Sequence, residues 1–500
     1  MSLATVYTRA QIGLEAPLVT CEVRLSGGLP KLAIVGLVET AVKESRERVG
    51  AAIEHAGFEM PDGRITVNLA PADLPKGGSR FDLAIAVAIL AASKQVPTTC
   101  LGAIEFYGEL AFSGALRPVR GLLPALLQAR NADRRCIVPA GCRREVGLLS
   151  NVETMLAEHL TAVTRYLAGT APLPGCARGA GARSNADADA PGAPDLADVR
   201  GQPQGRRALE IAAAGRHNLL MSGPPGTGKT MLAQRLPGLL PELDEDQVVE
   251  NILLTSLTGR EARGCRERPF RAPHHTASSI ALVGGGRIPR PGEISLANHG
   301  VLFLDELPEF ARNVLEALRE PLESGVISVA RAEQSTRFPA RFQLVAAMNP
   351  CPCGFAGDTS RECRCSPDQV QRYRRKISGP LLDRLQLRLH IGRCLPLIMD
   401  AAPATEESTA IVRARVLTAA ERQRARGTAP NSRLAPADVK RWCIPDHAGA
   451  KLLQRAAERF AMSMRGCDDT LRVARTIADL AGVERLRQSD VAEALALRGA

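Results

Sequence analysis

Two groups of residues in this 500-residue chain have the types and spacing for phosphate chemistry. The first is Gly223, Pro224, Pro225, Gly226, Thr227, Gly228, Lys229 and Thr230, in the pattern G-x-x-x-x-G-K-T. Glycines let a backbone curl until its N–H groups face an anion. A lysine at this place reaches the β- and γ-phosphates of a nucleotide, and the next hydroxyl holds Mg2+. The second group is Asp305 and Glu306, which end the apolar run Val301-Leu302-Phe303-Leu304. Asp305 would hold Mg2+ through water, and Glu306 would polarise an attacking water. Phosphoryl transfer needs such carboxylates because it is mostly positioning and charge stabilisation. A lone Asp-Glu pair is more often an exposed strand cap, but downstream of a phosphate loop it reads as catalytic. ATP and Mg2+ are the expected cofactors.

These groups need strands and helices to hold them. His217 to Met221 is a short apolar run that reads as a buried strand, and Met231 to Leu236 reads as a helix. The loop therefore sits in a strand–turn–helix setting, as its chemistry requires. With 44 glycines but few lysines, a chance match is on the order of one in a hundred. Phe342 to Asn349 is another apolar strand, ending in a polar amide. The fold class is α/β.

A third group is Cys351-x-Cys353 and Cys363-x-Cys365. Two close cysteine pairs on a short loop can hold zinc tetrahedrally, or can stay as reduced thiols. The basic run Arg372-Tyr373-Arg374-Arg375-Lys376 follows, as a contact for DNA or an exposed helix face. His274 and His275 are adjacent. On an extended segment they point to opposite sides, so a structural or substrate-contact role is expected rather than joint metal ligation.

Composition sets wider bounds. A 45% hydrophobic content fits a soluble globular chain with several domains, and 3% aromatics imply aliphatic cores. No apolar run has the length of a membrane helix, and the start shows no signal-peptide pattern, so a cytoplasmic place without membrane contact is expected. The net charge of +11 permits a polyanionic partner. Thirteen scattered cysteines do not form a disulfide framework.

Four segments follow in order. Residues 1–168 mix strand-like runs (Leu32 to Gly36, Arg64 to Leu69) with helix-like ones (Ala41 to Ala56, Phe81 to Ala92). Residues 169–196 are rich in Gly, Ala and Pro and read as a flexible linker. Residues 197–393 carry the phosphate loop. Between Gly284 and Ser295, and again between Gly325 and Ala340, Gly/Pro content or alternation around a polar turn reads as a hairpin. Residues 394–500 read as a helical lid, with helices at Ser408–Gly427, Pro436–Cys443, Ala448–Met462, Thr470–Gly482 and Gln488–Leu497.

Resemblance adds roles. Leu74 to Ala86 and Gly108 to Leu123 resemble the two segments around the catalytic serine and lysine of Lon proteases. Here Arg80 and Leu123 stand at those positions, with Ser79 one place away, so a Lon-like domain without peptidase activity is implied. Pro269 to Ser278, Gly284 to Ser295 and Asp305 to Phe310 resemble the magnesium-chelatase-like AAA+ ATPases. Together with the first domain they resemble the YifB/ComM competence branch of that family. The resemblance implies that Asn349 orients the attacking water and that Arg384, in Ser378 to Leu385, is an arginine finger reaching a neighbouring subunit. It also implies that Arg472, in Leu471 to Leu480, touches phosphate, with Arg475 in reserve. The stretch Arg465 to Asp469 lacks the aromatic and basic residues of ComM relatives. A ring-shaped homo-hexamer that moves on single-stranded or branched DNA is implied, with Arg287, Arg290 and Arg331 as candidate phosphate contacts on the hairpins. A magnesium-chelatase subunit, an ATP-dependent peptidase and a nucleotide-gated scaffold are the alternatives. The Lon-like domain speaks against the first, and Arg80 and Leu123 against the second.

Overall fold

Alternating buried and exposed side chains begin at the very start of the chain, and they build a sheet that the first helix-like runs cover. The computed structural model describes residues 2–12, 14–36, 42, 44–149, 152–175, 194–258, 266–286, 289–330, 335–358, 361–393, 406–427 and 429–499. The chain divides into two compact units. One is Met1–Ala188 with Val248–Cys265, and the other is Asp189–Gln247 with Arg266–Ala500. Residues 248–265 lie between the phosphate loop and Asp305 in sequence, yet belong to the first unit.

In the first unit, β1 (Ser2–Arg9) and β2 (Leu18–Ser26) form an antiparallel pair that the sequence reading did not foresee. Strand β3 (Lys31–Val35), helix α1 (Ser45–His55), β4 (Arg64–Ala70) and α2 (Asp82–Ala92) follow, then β5 (Ile104–Phe106), α3 (Leu122–Asn131), β6 (Arg135–Pro139) and β7 (Thr154–Ala157). The seven strands make one mixed sheet in the order β3-β4-β2-β1-β5-β6-β7. Helix α2 is buried along its whole length, as expected for a helix apolar on every side. Ile252 and Leu253 join a cluster with Leu122, Leu126 and Val138.

Arg80, expected from resemblance to replace a Lon serine, is a buried guanidinium that donates to Gln11 at 2.9 Å and to the Arg120 carbonyl at 2.5 Å. Ser79 donates to Glu109. Leu123, expected from the same resemblance to replace a Lon lysine, is packed in the apolar cluster of α3.

The expected linker is narrower than 169–196. Leu156 donates to the Pro174 carbonyl at 2.9 Å, so the first unit continues to that point. Asp195 accepts from Ala197 and Thr409, and Leu196 is buried in the second unit. Residues 176–193 lie outside the described ones.

The second unit holds a five-stranded parallel sheet. After α4 (Pro203–Gly215) come β8 (Leu219–Ser222), α5 (Lys229–Leu239), β9 (Phe270–Arg271), β10 (Val301–Leu304), β11 (Gln343–Met348), α6 (Pro367–Arg374) and β12 (Leu387–His390). Their order is β9-β10-β11-β8-β12. Strands β8, β10 and β11 are largely apolar runs buried nearly throughout, because helices cover both faces, while the edge strand β12 alternates buried leucines with Arg388 and the exposed His390. β11 is inserted between β8 and β10, so the chain leaves β8 in one direction and returns on the other side. Such switch points leave a crevice at the carboxyl ends of the strands.

Both expected hairpins form, at Gly284–Gly285 with Arg290–Pro291 and at Val326–Ala330 with Ser335–Pro339. Arg287 and Arg331 lie outside the described residues, while Arg290 is exposed.

The C-terminal part is helical. It contains α7 (Thr409–Arg426), the short helix Pro436–Trp442, α8 (His447–Arg459), α9 (Met464–Ala481) and α10 (Gln488–Arg498). Helix α9 begins six residues before the expected Thr470. Ser463 caps it by accepting from the Gly466 N–H at 3.1 Å, which overrides the poor helix propensity of Gly466 and the two aspartates. The helices pack on α4 and share one apolar core with the sheet. No described helix is long and apolar enough to cross a membrane.

Candidate nucleotide site

Parallel register brings the chemistry to one edge. Ser222 lies opposite Met348, and Leu304 lies opposite Ala346. Gly223, Asp305 and Asn349 each follow the last residue of their strand, so they emerge side by side. Gly223 must be glycine, since a Cβ there would lie 2.1 Å from the Ile391 carbonyl oxygen. Gly228 has φ +85 and starts α5, so the loop closes onto a helix N-terminus.

Lys229 is buried. Its Nζ donates to the carbonyls of Gly223 at 2.7 Å and Pro224 at 2.8 Å, and to Asn349 Oδ1 at 3.4 Å. Burial lowers its pKa, with Asp305 opposing that shift through space. Three neutral oxygens leave its charge available to an anion. Thr230 donates its hydroxyl to Asp305 Oδ2 at 2.7 Å, and the Glu306 N–H donates to Asp305 Oδ1 at 2.9 Å. This hydroxyl–carboxylate pair suits Mg2+ beside a triphosphate. The donor set therefore fits the nucleotide and its metal: Lys229 and the loop would hold phosphate, and Thr230 and Asp305 would hold Mg2+.

Glu306 sits in the left-handed region at φ +52, a strained place for a non-glycine residue. Its carboxylate is half-exposed and meets His275 Nδ1 at 3.1 Å. A cleft of about 310 Å3 opens here, lined among others by Thr230, Gln234, Phe270, His275, Asp305 and Glu306. His275 is the residue that sequence reasoning assigned too loosely. The expectation that the two histidines point apart is also corrected. Their rings lie 4.2 Å apart, because the segment turns at His275 instead of running extended. The signal was the neighbouring pair itself, but only the fold shows that one of them faces Glu306.

Two expected residues are engaged elsewhere in the chain. Arg384 is buried, pairs with Glu323 and donates to the Pro380 carbonyl at 2.5 Å. Its own carbonyl accepts from Asn218, which precedes β8. Arg472 donates to Asp469 at 2.7 Å and to the Leu434 carbonyl at 2.9 Å. One turn along α9, Thr476 meets His217, also before β8. The Arg384 backbone thus sits beside the residue preceding β8, at the strand end away from the loop, and Arg472 lies one helical turn from Thr476, which meets that same end. Arg475 is fully buried, bonded to Asp479 and the Val483 carbonyl. In the basic run, Arg374 donates to the Pro350 carbonyl at 3.3 Å, Lys376 pairs with Glu309 at 3.2 Å, and Arg372 and Arg375 are exposed.

The four cysteines do converge. The sulfurs of Cys351 and Cys353 are 3.3 Å apart, those of Cys353 and Cys363 3.5 Å, and those of Cys351 and Cys363 3.6 Å. With Cys365 they all lie within 4.8 Å of one another. Backbone N–H groups point at them: Ala356 donates to Cys351 at 3.3 Å and Cys365 to Cys363 at 3.5 Å. Hydrogen bonds from the N–H groups of Phe355 and Arg364 draw the Cys353 thiol down to about 6.

A parallel sheet with an inserted strand, a phosphate loop after the strand beside it and a carboxylate pair two strands from that loop define an ATPase of the P-loop class. Comparison with known proteins narrows this. Residues 195–396 match the family model for magnesium chelatase, subunit ChlI, and residues 406–498 match its C-terminal model. Residues 21–141 match a further model, described as subunit ChlI of Mg-chelatase. The competence protein ComM of Haemophilus influenzae is 48% identical over 500 residues, covering 100% of this chain and 98% of its own length. The uncharacterized protein YifB of Salmonella typhimurium is 48% identical over 501 residues, covering 100% and 97%. The magnesium-chelatase 67 kDa subunit of Heliobacterium mobile is 26% identical over 41% of this chain and 34% of its own. The chain belongs to the YifB/ComM family of magnesium-chelatase-like ATPases.

Proposed function

We propose that this protein is an ATP-hydrolysing ring motor that works on DNA as a branch-migration helicase in natural transformation and recombination, most simply as a homo-hexamer. The observation that carries the ATPase part is the single edge where Lys229, the Thr230–Asp305 pair, Glu306 and Asn349 meet. Lys229 neutralises phosphate, Thr230 and Asp305 take Mg2+, Glu306 polarises water and Asn349 orients it. The DNA part rests on the full-length similarity to a competence protein and on the net charge of +11. Arg290, Arg372 and Arg375 are exposed cations available to phosphates.

Arg384 and Arg472 act in trans under this reading. Each side chain is bonded to groups away from its own loop, which supports a nucleotide in a neighbouring subunit as its target. The first unit, with Arg80 and Leu123 where Lon proteases carry catalytic groups, serves assembly or docking.

Zinc belongs to the same proposal. For a metal–sulfur distance near 2.3 Å, a tetrahedral site spaces its sulfurs by about 3.8 Å. The 3.3–3.6 Å separations among Cys351, Cys353 and Cys363 are close to that spacing. N–H groups aimed at the sulfurs supply the outer hydrogen bonds that thiolate ligands require. The zinc would be structural, since four cysteines fill its coordination.

A second reading is a magnesium-chelatase-type motor, favoured by the family models that match the chain. One experiment separates the two: ATPase rates with no DNA, single-stranded DNA, duplex and a four-way junction. Stimulation by DNA, strongest with the junction, is expected. Equal rates in all four sink the DNA reading and leave the chelatase one.

A further inference from the structure

The loop that carries the four cysteines does not hang free of the nucleotide site. It leaves β11 through Asn349 and Pro350, and Cys351 opens a turn whose carbonyl accepts from the Gly354 N–H at 3.0 Å. Gly354 has φ +86, and it lies against the middle of the phosphate loop. A Cβ built there would stand 2.7 Å from Cδ and 2.8 Å from Cγ of Pro225, and 3.9 Å from Cγ of Asn349. The first two distances are shorter than any real carbon contact, so the close approach depends on glycine. Asn349 in turn accepts from Lys229. The cysteine loop therefore touches the phosphate loop at Pro225 and the water-orienting amide at once.

The far side of the loop is tethered as well. Asp358 pairs with Arg393 at 3.2 Å, just beyond β12. Phe355 lies beneath the guanidinium groups of Arg361 at 4.4 Å and Arg393 at 5.5 Å. Neither tether fixes the Cys351–Gly354 turn itself. Cys351 and Cys353 both lie in that turn, and their sulfurs face those of Cys363 and Cys365. Closing the four on one ion ties the turn to a segment ten residues away and removes its freedom to lift. An ion is needed for this because reduced thiols attract one another only weakly.

We propose that zinc at Cys351, Cys353, Cys363 and Cys365 makes this loop a clamp, which seats Gly354 on Pro225 and Asn349 and so sets the affinity for nucleotide. The proposal rests on the zinc reading given above and adds a function to it. The metal takes no part in phosphoryl transfer. It decides whether the loop and the sensor amide are held in register before ATP arrives. Metal status and nucleotide affinity are then linked, and by reciprocity bound nucleotide tightens zinc binding.

The test uses the full chain, purified without chelators, and reads zinc by elemental analysis and affinity by titration with a fluorescent ATP analogue in Mg2+ buffer. One zinc per chain is expected. A zinc-selective chelator should weaken nucleotide binding by about tenfold or more, and added zinc should restore it. Gly354→Ala should keep its zinc yet lose affinity to a similar degree, because its new methyl pushes Pro225 away. Adding Pro225→Ala, which removes the atoms it strikes, should recover part of the loss. Pure protein without zinc overturns both the metal and the clamp. Protein with zinc whose affinity stays within twofold after stripping overturns the clamp and leaves the zinc site standing. If Gly354→Ala does not fold, stripping and restoring the wild-type chain decides alone.

Discussion

Under the proposed function Lys229 and Glu306 divide the labour of the site, and substitutions separate their tasks. Lys229 rests on carbonyl oxygens within its own loop, so its charge serves only an incoming phosphate. Lys229→Ala should weaken ATP binding by between about tenfold and a hundredfold, the worth of a charge-assisted hydrogen bond. Titration with a labelled nucleotide reads this directly. Glu306→Gln keeps shape and loses the proton acceptor, so ATP should stay bound while turnover falls by about a hundredfold or more. Retained turnover would move the base to another carboxylate, Glu309 first, although Glu309 is taken by Lys376. His275 meets Glu306 at 3.1 Å. His275→Ala should therefore lower kcat by roughly tenfold through lost orientation, with KM within about twofold. A large rise in KM with kcat unchanged would instead make His275 a nucleotide contact.

At the level of elements, the strand that feeds the phosphate loop is wired to the lid through buried polar groups. His217, just before β8, meets Thr476 of α9 at 2.8 Å. Asn431 donates to Thr476 at 3.1 Å and to Asp479 at 2.8 Å, and Asp479 accepts from Arg426 at 2.7 Å. Burial, with the Arg472 charge nearby, holds the His217 pKa down at about 3, against 6.5 when exposed. The unfolded chain therefore binds a proton that the folded chain refuses between these values. Stability from this group is complete above about pH 6.5 and is lost as pH falls toward 3, by at most about 1.4 kcal/mol per pH unit. Urea unfolding of wild type and His217→Gln at pH 7.5 and pH 5 checks this. The wild type should lose more stability on acidification than the variant, which cannot take up the proton. Equal losses would show that the imidazole is not the group responsible.

For the molecule as a whole, the proposed trans role of Arg384 would make assembly the condition for activity. If Arg384 completes the site of a neighbour, Arg384→Ala chains keep a sound loop and Lys229→Ala chains keep a sound finger. Each alone should have little ATPase, since a finger is worth roughly a thousandfold in comparable phosphoryl transfers. Mixed, they should regain a measurable part of it, because some boundaries then join an intact loop to an intact finger. Co-assembly by light scattering without any recovery would remove Arg384 from that role and turn attention to Arg388 and Arg374. In the single chain Arg384 pairs with Glu323, which Arg465 shares at 2.9 Å. As a finger, Arg384 would have to leave that carboxylate to act, with Arg465 left to hold it.

Short-range features of this chain were legible from residues alone. The phosphate loop, the apolar runs ending at Leu304 and Met348, both hairpins and most of the lid helices depend on neighbours a few positions away. Turn glycines, strand-length apolar runs and helical spacing encode them locally. The start of α9 was missed because a capping serine outweighed an unfavourable composition. The β1–β2 pair was missed because short alternating runs with polar residues between them carry a weak signal. Strand order was beyond reach for a different reason. The central strands of the parallel sheet are all buried runs of similar apolar residues, so nothing local tells β11 to enter between β8 and β10. That insertion alone places Asn349 beside Lys229. The same holds for His275 against Glu306, for Gly354 against Pro225, and for residues 248–265 joining the first unit. Each is a contact between segments far apart in the chain, chosen by how whole faces pack, and only the tertiary structure decides it.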